Sequence, residues 1–277
     1  MRYSVRRWLF CSGAAVAVGA SAFAQVGPAS AASATSAAPA SKAAATAAVS
    51  QPSAYVPPTK NLRFGDHGPA VRSVQRRLNN LGYFAGPVDG KYGPDLEQAV
   101  WAFKGVQGLP IDARTNSLIT TAFRKDLVNP KAPFSKYPKG GSGRIEINQN
   151  SQVLVLYRNN KPHLILHVSS GGRYYYPCAG DPAATCGPAI TPDGSYKALS
   201  YLQGDIQVPL GFMENPVFFI GRAYAIHGGD PVPWYAASHG CVRIYADAVN
   251  WFHKRVHIGV THIYVFGKAP QYPHAYR

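Results

Sequence analysis

The spacing of apolar residues changes once along this chain, and that change constrains the fold more than any other feature. In the first part, apolar side chains recur at intervals of three and four, as at Val71, Val74 and Leu78, which is the spacing of amphipathic helices. Further along, they occur in short runs separated by turn residues, which is typical of β-strands. The sequence therefore predicts an α+β multidomain fold, with a small three-helix domain at 62–128 and a mainly β domain at 144–268.

Local signals place the elements within these two domains. Pro69 and Pro94 each stand where a helix begins, and Gly82 stands where the first helix ends. Two adjacent asparagines at 159–160 favour a tight hairpin, because Asn tolerates a left-handed backbone. The predicted helices are 69–81, a second from 94, 115–127 and one after 244, and the predicted strands are 144–148, 152–157, 163–169 and 261–266.

The first 61 residues lack the pattern of a folded domain. Arg2, Arg6 and Arg7 precede a short run of small and apolar residues, and Ala-Phe-Ala at 22–24 fits a signal-peptidase cleavage site. We therefore predict a signal peptide at 1–24, with no stable membrane span after its cleavage. Residues 25–61 are mostly Ala, Ser, Pro and Thr, a composition that predicts a disordered linker because it offers little apolar surface to bury.

The chain is strongly basic. Its formal net charge is +15, and removal of Arg2, Arg6 and Arg7 with the signal peptide leaves +12. This charge favours an anionic environment, such as wall polymers or a phospholipid surface. Export and the lack of a recognisable nucleic-acid motif argue against nucleic acid as the partner.

The four cysteines divide into three groups. Cys11 lies in the predicted signal peptide, whereas Cys178 and Cys186 enclose a turn-rich stretch that could close as a disulfide in an oxidising compartment. Closing a loop of this length is worth about 2–3 kcal/mol, so a Cys178–Cys186 bridge is predicted. Cys241 is left unpaired, and its neighbours Ser-His-Gly do not resemble a protein core.

Two short segments carry residues suited to covalent chemistry. Ala-Ile-His-Gly-Gly at 225–229 contains His227, and Ser-His-Gly-Cys-Val-Arg at 238–243 contains Cys241. The thiolate is the reactive form of cysteine, and a nearby imidazolium lowers a thiol pKa from about 8.5 to roughly 3.5–7.5. The sequence therefore predicts Cys241 as a nucleophile with His227 as its base. Gly240 would let backbone N–H groups approach a developing oxyanion closely.

Other interpretations of these residues stay open. His227, His239 and Cys241 could be three zinc ligands, although no second cysteine or carboxylate stands at compact ligand spacing. His239 is an alternative base, but on an extended chain it would lack ideal reach to Cys241. Arg243 could hold a substrate carboxylate or form an ordinary salt bridge.

The helical part resembles a known family. The carrying residues are Leu-Arg-Phe-Gly at 62–65, Gly-Pro-Ala-Val at 68–71, Val-Gln at 74–75, Leu-Gly-Tyr at 81–83, Val-Asp-Gly at 88–90 and Tyr-Gly at 92–93. Together they resemble the peptidoglycan-binding domain found beside wall enzymes. That resemblance implies peptidoglycan as the partner, and the alternative is a spacer domain that binds nothing tightly.

The second part resembles the L,D-transpeptidase catalytic domain, also called the YkuD-like fold. Ile-His-Gly at 226–228 and the 238–243 segment look like its active-site signature, and Val-Ser-Ser-Gly at 168–171 and Thr-Pro-Asp-Gly at 191–194 resemble further family segments. The resemblance implies that Cys241 attacks a stem-peptide carbonyl and transfers the acyl group to an amine. It implies His227 as general base, the Gly228 carbonyl as the group that orients it, and His239 as part of the site lining.

These features predict an exported, cysteine-dependent acyltransferase of the periplasm or cell wall that requires no cofactor. Its expected reaction is peptidoglycan cross-linking through a Cys241 acyl-enzyme. One alternative is an L,D-carboxypeptidase or cysteine peptidase, in which water resolves the same intermediate. Another is a wall-binding protein whose cysteine and histidine are structural. The 178–186 insertion departs from the family pattern and could reshape the donor site.

Overall fold

The computed structural model describes residues 54–229 and 231–271, which fall within one compact unit. The predicted signal peptide at 1–24 and most of the predicted linker at 25–61 lie outside the described residues. Helices come first and strands dominate afterwards, so the predicted α+β fold class is confirmed.

The helices are α1 Pro69–Asn80, α2 Pro94–Gln107, α3 Thr121–Val128 and α4 Ala246–Phe252, with a 3₁₀ turn at His253–Arg255. The strands are β1 Arg144–Asn148, β2 Val153–Arg158, β3 Lys161–His167, β4 Tyr176–Cys178, β5 Asp181–Cys186, β6 Gly194–Lys197, β7 Ser200–Tyr201, β8 Asp205–Val208, β9 Gly211–Ile220, β10 Tyr224–Gly228, β11 Val242–Arg243 and β12 His262–Phe266.

The third helix differs from its prediction. It begins at Thr121 and not at residue 115, because the intervening segment forms a turn. The Asp112 carboxylate accepts hydrogen bonds from the backbone N–H groups of Arg114 and Thr115, at 2.8 and 2.9 Å. Thr120 then caps α3 by accepting from the Phe123 N–H at 3.3 Å. An Asp that accepts a hydrogen bond from the backbone two residues further along favours a turn over a helix.

Across residues 54–229 and 231–271, no helix has the length and apolar character needed to cross a membrane.

The last residues of the predicted linker lie against the helices. Tyr55 packs on the apolar core of the helical region, and the Arg77 guanidinium lies 5.1 Å from the centre of its ring. Asn61 accepts a hydrogen bond from Arg124 at 2.5 Å. Part of the predicted linker therefore belongs to the packed helical region, because an aromatic ring gives it apolar surface that the Ala- and Ser-rich part lacks.

Two sheets form the β region. The first has the strand order β3-β2-β1-β12-β6, in which only the β1–β12 pair is parallel. The second has the order β11-β10-β9-β7, with β8 also paired to β9, and a two-stranded ribbon joins β4 to β5. Asn159 and Asn160 both have positive φ between β2 and β3, which confirms the predicted hairpin turn. The structure adds eight strands to the four predicted ones.

Both faces of the first sheet are buried, because the side chains of strand β2 point alternately into two different cores. Val153, Val155 and Tyr157 point into the core of the helical region, whereas Leu154 and Leu156 point into the core of the β region. The sequence of a strand that is covered on both faces is a continuous run of apolar residues, and not an alternation of apolar and polar residues. The helices therefore share a core with the sheet, and the domain boundaries at 62–128 and 144–268 stay a prediction.

Candidate active site

A pair of parallel strands brings the two predicted catalytic residues together. β10 pairs with β11 so that Ile226 lies opposite Val242 and His227 lies opposite Arg243. Ile226 and Val242 are fully buried in the same core as helix α4, which anchors both strands. Cys241 immediately precedes β11, so this pairing places the thiol beside the strand that carries His227.

His227 and Cys241 line one cavity of about 590 Å³. His239, Gly240 and Arg243 also line it, whereas Gly228, Cys178 and Cys186 stand outside its lining. The 221–224 turn, the β8–β9 hairpin and the β4–β5 ribbon supply the remaining walls. Those walls contain Tyr176, Ala179, Val208, Pro209, Leu210, Gly211, Phe212, Met213, Arg222, Ala223 and Tyr224. Gly229, Pro231 and Ser238, between β10 and β11, complete the lining.

His227 is held as a neutral imidazole. Its side chain is 5% exposed, and its Nδ1 lies 2.5 Å from the Gly228 carbonyl oxygen. Because a carbonyl only accepts hydrogen bonds, Nδ1 carries the proton and Nε2 keeps a free lone pair. Burial lowers the His227 pKa to about 4, against a smaller opposing effect of the Gly228 hydrogen bond. The imidazole can therefore accept a proton at neutral pH. The contact between His227 and the Gly228 carbonyl is the one that the family resemblance implied.

Cys241 is a free thiol at rest. Its Sγ lies 3.7 Å from the Ala223 carbonyl oxygen, on the turn between β9 and β10. Burial raises the Cys241 pKa, and the N–H of Ala225 and the charge of Arg243 offset only part of that rise. The sequence favoured a thiol acidified by a neighbouring imidazolium. In the structure, burial disfavours the charged form of both groups, so the resting pair is a neutral thiol and a neutral imidazole.

The backbone before Cys241 has a conformation that requires glycine. Gly240 has a φ of +146°, and a Cβ there would lie 2.8 Å from the Tyr224 ring and 2.9 Å from the Ile190 carbonyl oxygen. Its N–H donates to Ser238 Oγ at 3.1 Å, and its carbonyl accepts from Thr191 Oγ1 at 2.7 Å. The Gly240 N–H is therefore occupied within the turn. The role predicted for Gly240, to let backbone N–H groups approach an oxyanion, stays a prediction.

The space around Gly228 is too small for any side chain. A Cβ on Gly228 would lie 2.6 Å from Val249 Cγ1 on helix α4 and 2.9 Å from Glu214 Oε2 on strand β9. Contacts below 3.0 Å force the neighbouring atoms to move. The absence of a side chain at Gly228 thus lets β10 sit close to α4, with its carbonyl directed at His227.

His239 has a different environment from His227. Its ring packs edge-on against Tyr176, with centroids 4.5 Å apart, and lies 5.7 Å from Tyr174. Burial and the charge of Arg243 lower the His239 pKa. His239 thus forms part of the cavity wall in contact with aromatic rings.

Arg243 and Arg222 place two cations on the cavity. Arg243 donates to the Pro231 carbonyl at 3.3 Å, and its backbone pairs with Ser169. Arg222 lies next to Ala223, whose carbonyl contacts the thiol. Among the described residues that line the cavity, none is acidic. Sequence reasoning missed Arg222, since only the β9–β10 turn brings it near Cys241.

The predicted disulfide is present between Cys178 and Cys186. It closes the β4–β5 ribbon, in which Tyr176 pairs with Cys186. Tyr176 lies on the cavity wall against His239, so the bridge supports one side of the site.

No group of three His, Cys, Asp or Glu side chains in the described part of the chain could hold a metal ion. His227, His239 and Cys241 therefore do not form such a group.

Two family models match the chain. A peptidoglycan binding domain model matches residues 67–120, and an L,D-transpeptidase catalytic domain model matches residues 142–265. Comparison with curated proteins gives no significant match.

Three solved L,D-transpeptidase structures are among those similar to this chain. The structure of residues 123–326 of the L,D-transpeptidase from Xylanimonas cellulosilytica is 32% identical, with a TM-score of 0.67, and the match covers 76% of this chain and all of that one. An L,D-transpeptidase from Stackebrandtia nassauensis is 16% identical over 78% of this chain and all of its own length, with a TM-score of 0.41. One from Mycobacterium tuberculosis is 16% identical over 46% of this chain and 58% of its own, with a TM-score of 0.36.

Proposed function

Because this chain belongs to the L,D-transpeptidase family, we propose that it is an exported acyltransferase that cross-links peptidoglycan stem peptides through a thioester on Cys241. One observation carries the proposal. A neutral imidazole, fixed at Nδ1 by the Gly228 carbonyl, shares a cavity with a free thiol on the residue that immediately precedes the adjoining strand. This pairing of nucleophile, base and orienting group is what covalent acyl transfer requires.

The acylation step uses the neutral pair directly. His227 Nε2 takes the thiol proton as Cys241 Sγ attacks the carbonyl carbon of the donor, which forms a C–S bond and a tetrahedral oxyanion. When the oxyanion collapses, the C–N bond to the terminal D-residue breaks, and the leaving amine takes the proton from the imidazolium. The products are the released D-amino acid and the Cys241 thioester.

The second step reverses these roles toward an acceptor. An amine of a second stem peptide attacks the thioester carbonyl, and His227 takes its proton. The C–S bond then breaks, the new amide is released, and the proton returns to the Cys241 sulfur. Because the Cys241 thiol and the neutral His227 are both regenerated and no oxidation state changes, the proposed cycle needs no cofactor.

The oxyanion needs a donor other than Gly240. We assign this role to the backbone N–H of Cys241 itself, which donates no hydrogen bond to another residue within 54–229 or 231–271. Ser238 supports the same turn, since its Oγ donates to the Cys241 carbonyl and accepts from the Gly240 N–H. Loss of one such donor typically costs about 2.7–4 kcal/mol of barrier.

The charge of the cavity favours an anionic donor. Arg222 and Arg243 lie on its wall, and stem peptides carry free carboxylates that guanidinium groups bind well. Apolar side chains on the β8–β9 hairpin add a surface for the rest of the donor: Leu210 is 41% exposed and Phe212 is 48% exposed. We therefore propose that Arg243, aided by Arg222, binds a donor carboxylate while Cys241 reacts.

The remaining features support action at the cell wall. The helical region matches the peptidoglycan binding domain model, which makes peptidoglycan the proposed partner. The Cys178–Cys186 disulfide suits an oxidising compartment, and the signal peptide proposed at 1–24 would direct the chain to the periplasm or cell wall.

The test uses purified muropeptides whose stems end in D-Ala. The mature protein is incubated with them, and the products are followed by mass spectrometry beside the Cys241→Ala variant. A dimer lighter than two monomers by the mass of one alanine, absent with Cys241→Ala, is the expected result. Shortened monomers with free alanine and no dimer would assign carboxypeptidase action instead. Turnover retained by Cys241→Ala would overturn the nucleophile assignment.

A further inference from the structure

Helix α2 of the helical region reaches the chain segment that leads into the active site. Gln98 on α2 donates a hydrogen bond from Nε2 to the Val232 carbonyl at 3.1 Å, and this side chain is 9% exposed. We call residues 231–237 the pre-motif segment, because they run directly into the 238–243 motif that contains Cys241.

A second contact from α2 reaches the neighbouring carbonyl of this segment. Trp101 packs edge-on against His167, with ring centroids 5.2 Å apart. His167 is 2% exposed, and its Nε2 lies 2.8 Å from the Pro233 carbonyl oxygen, to which it donates. Burial lowers the His167 pKa to about 4, so this histidine is neutral. Two consecutive carbonyls of the pre-motif segment are thus held by buried side chains that α2 supplies or supports.

The remainder of the pre-motif segment is tied to the active site. The Pro231 carbonyl accepts from Arg243, and Pro231 itself lines the cavity. Ser169 Oγ donates to the Tyr235 carbonyl at 2.8 Å and accepts from the Ala237 N–H at 2.9 Å. A shift of the segment would therefore move both Arg243 and the turn that begins at Ser238.

We propose that α2 positions the active site through the pre-motif segment, and that Gln98 and Trp101 are positioning residues for the acyl-transfer reaction. This inference rests on the proposed function. It makes the helical region part of the catalytic apparatus in addition to any role in wall binding.

The polar groups on α2 argue against simple apolar packing between helix and sheet. Gln98 Oε1 and Trp101 Nε1 are both buried without a hydrogen-bond partner within the described residues. An unpaired buried polar atom costs folding free energy, so an apolar residue of similar size would pack here more favourably. What Gln98 supplies, and an apolar residue does not, is the bond to the Val232 carbonyl.

The same helix offers a matched control. Gln107 is 4% exposed, and its side chain donates to the Lys131 carbonyl at 3.1 Å and accepts from the Lys131 N–H at 2.9 Å. Gln107→Met therefore removes two hydrogen bonds to Lys131, which lies outside the pre-motif segment and the cavity lining, whereas Gln98→Met removes one that reaches the pre-motif segment. On stability alone, Gln107→Met is the more damaging change.

The experiment measures acylation of the full mature chain by a carbapenem-type probe, with intact mass and stopped-flow detection, together with thermal melting. We expect Gln98→Met and Trp101→Phe to lower the maximal acylation rate about fivefold, with little change in the half-saturating probe concentration. Gln107→Met should melt at a lower temperature than Gln98→Met yet keep the wild-type acylation rate.

The outcomes separate the two proposals. If the wild-type chain is not acylated at Cys241, the proposed function fails. If the wild-type chain is acylated and Gln98→Met and Trp101→Phe react at the same rate as Gln107→Met, the proposed function stands and the positioning role of α2 is refuted. A rate loss that follows melting temperature across the variants would refute it too.

Discussion

Replacement of Gly228 by alanine tests whether the base is positioned as the structure indicates. An added Cβ would lie 2.6 Å from Val249 Cγ1, where an ordinary contact begins at 3.4 Å. Strand β10 or helix α4 must therefore shift by roughly 0.8 Å, a degree of overpacking that typically costs about 1–3 kcal/mol. For a folded region of this size, each kcal/mol lowers the melting temperature by about 2–4 °C.

The effect on activity should be larger than the effect on stability. The shift displaces the carbonyl that holds His227 Nδ1, and a misplacement of about 1 Å in a catalytic group costs on the order of 10²-fold in rate. We expect kcat/KM for muropeptide dimer formation to fall by about that factor. Val249→Ala in the same chain removes the closest clashing atom and should restore part of the activity.

The controls for this variant are specific. Gly143→Ala adds a methyl group where no atom lies within 4 Å, and it should leave both kcat/KM and the melting temperature unchanged. Near wild-type activity in Gly228→Ala would refute the reasoning, because the base would then tolerate movement of its orienting carbonyl. A failure of Val249→Ala to restore any activity would show that the Val249 Cγ1 contact is not the cause, and would leave the contacts with Glu214 Oε2 at 2.9 Å and Val249 Cβ at 3.0 Å.

Three further predictions follow from burial, the disulfide and the ion pair. Because burial raises the Cys241 pKa, iodoacetamide alkylation of the folded protein should keep accelerating as the pH rises past 9, and a plateau below pH 7 would indicate a preformed thiolate. Replacement of both Cys178 and Cys186 by serine should lower the melting temperature and raise the KM for the donor, and an unchanged KM would detach the β4–β5 ribbon from substrate binding. Arg144 Nε donates to Glu146 Oε1 at 2.7 Å, and both side chains are 1% exposed. Glu146→Gln should lower the free energy of unfolding in urea by about 3–5 kcal/mol, because it leaves the buried Arg144 charge without a counter-charge, and a loss below about 1 kcal/mol would contradict that account.

Local sequence signals were sufficient where one chain segment determines its own structure. Pro69 and Pro94 begin α1 and α2 as predicted, and the two asparagines form the turn between β2 and β3. Strand β1 spans the residues that its apolar pattern indicated. Such elements depend on neighbours a few residues away, which a single sequence displays directly.

Strands that depend on distant partners were missed. β9 contains Pro216 and a positive-φ Asn215, residues that oppose strand formation when considered alone. It forms because three other strands, β7, β8 and β10, pair with it. The two-residue strands β7 and β11 are too short for any periodicity to indicate them.

The residues of the candidate site also fall into those that a short motif indicates and those that depend on distant segments. Cys241, His227 and the Gly228 carbonyl stand in two short motifs, so their residue types and the family resemblance led to them. The cavity wall formed by Arg222 and the contact of Gln98 with Val232 depend on pairing between segments far apart in sequence. The Gly240 N–H is occupied for a local reason, since the Ser238 hydroxyl accepts its hydrogen bond within the same turn.

The two-sided burial of β2 has a consequence for relatives of this chain. The helices cover Val153, Val155, Tyr157 and Ile165. A catalytic domain separated from its helices would therefore expose these side chains to solvent as one apolar patch. Such a fragment should self-associate in solution. A relative without the helices should instead carry polar or charged residues at the positions equivalent to Val153, Val155 and Tyr157 on β2 and to Ile165 on β3.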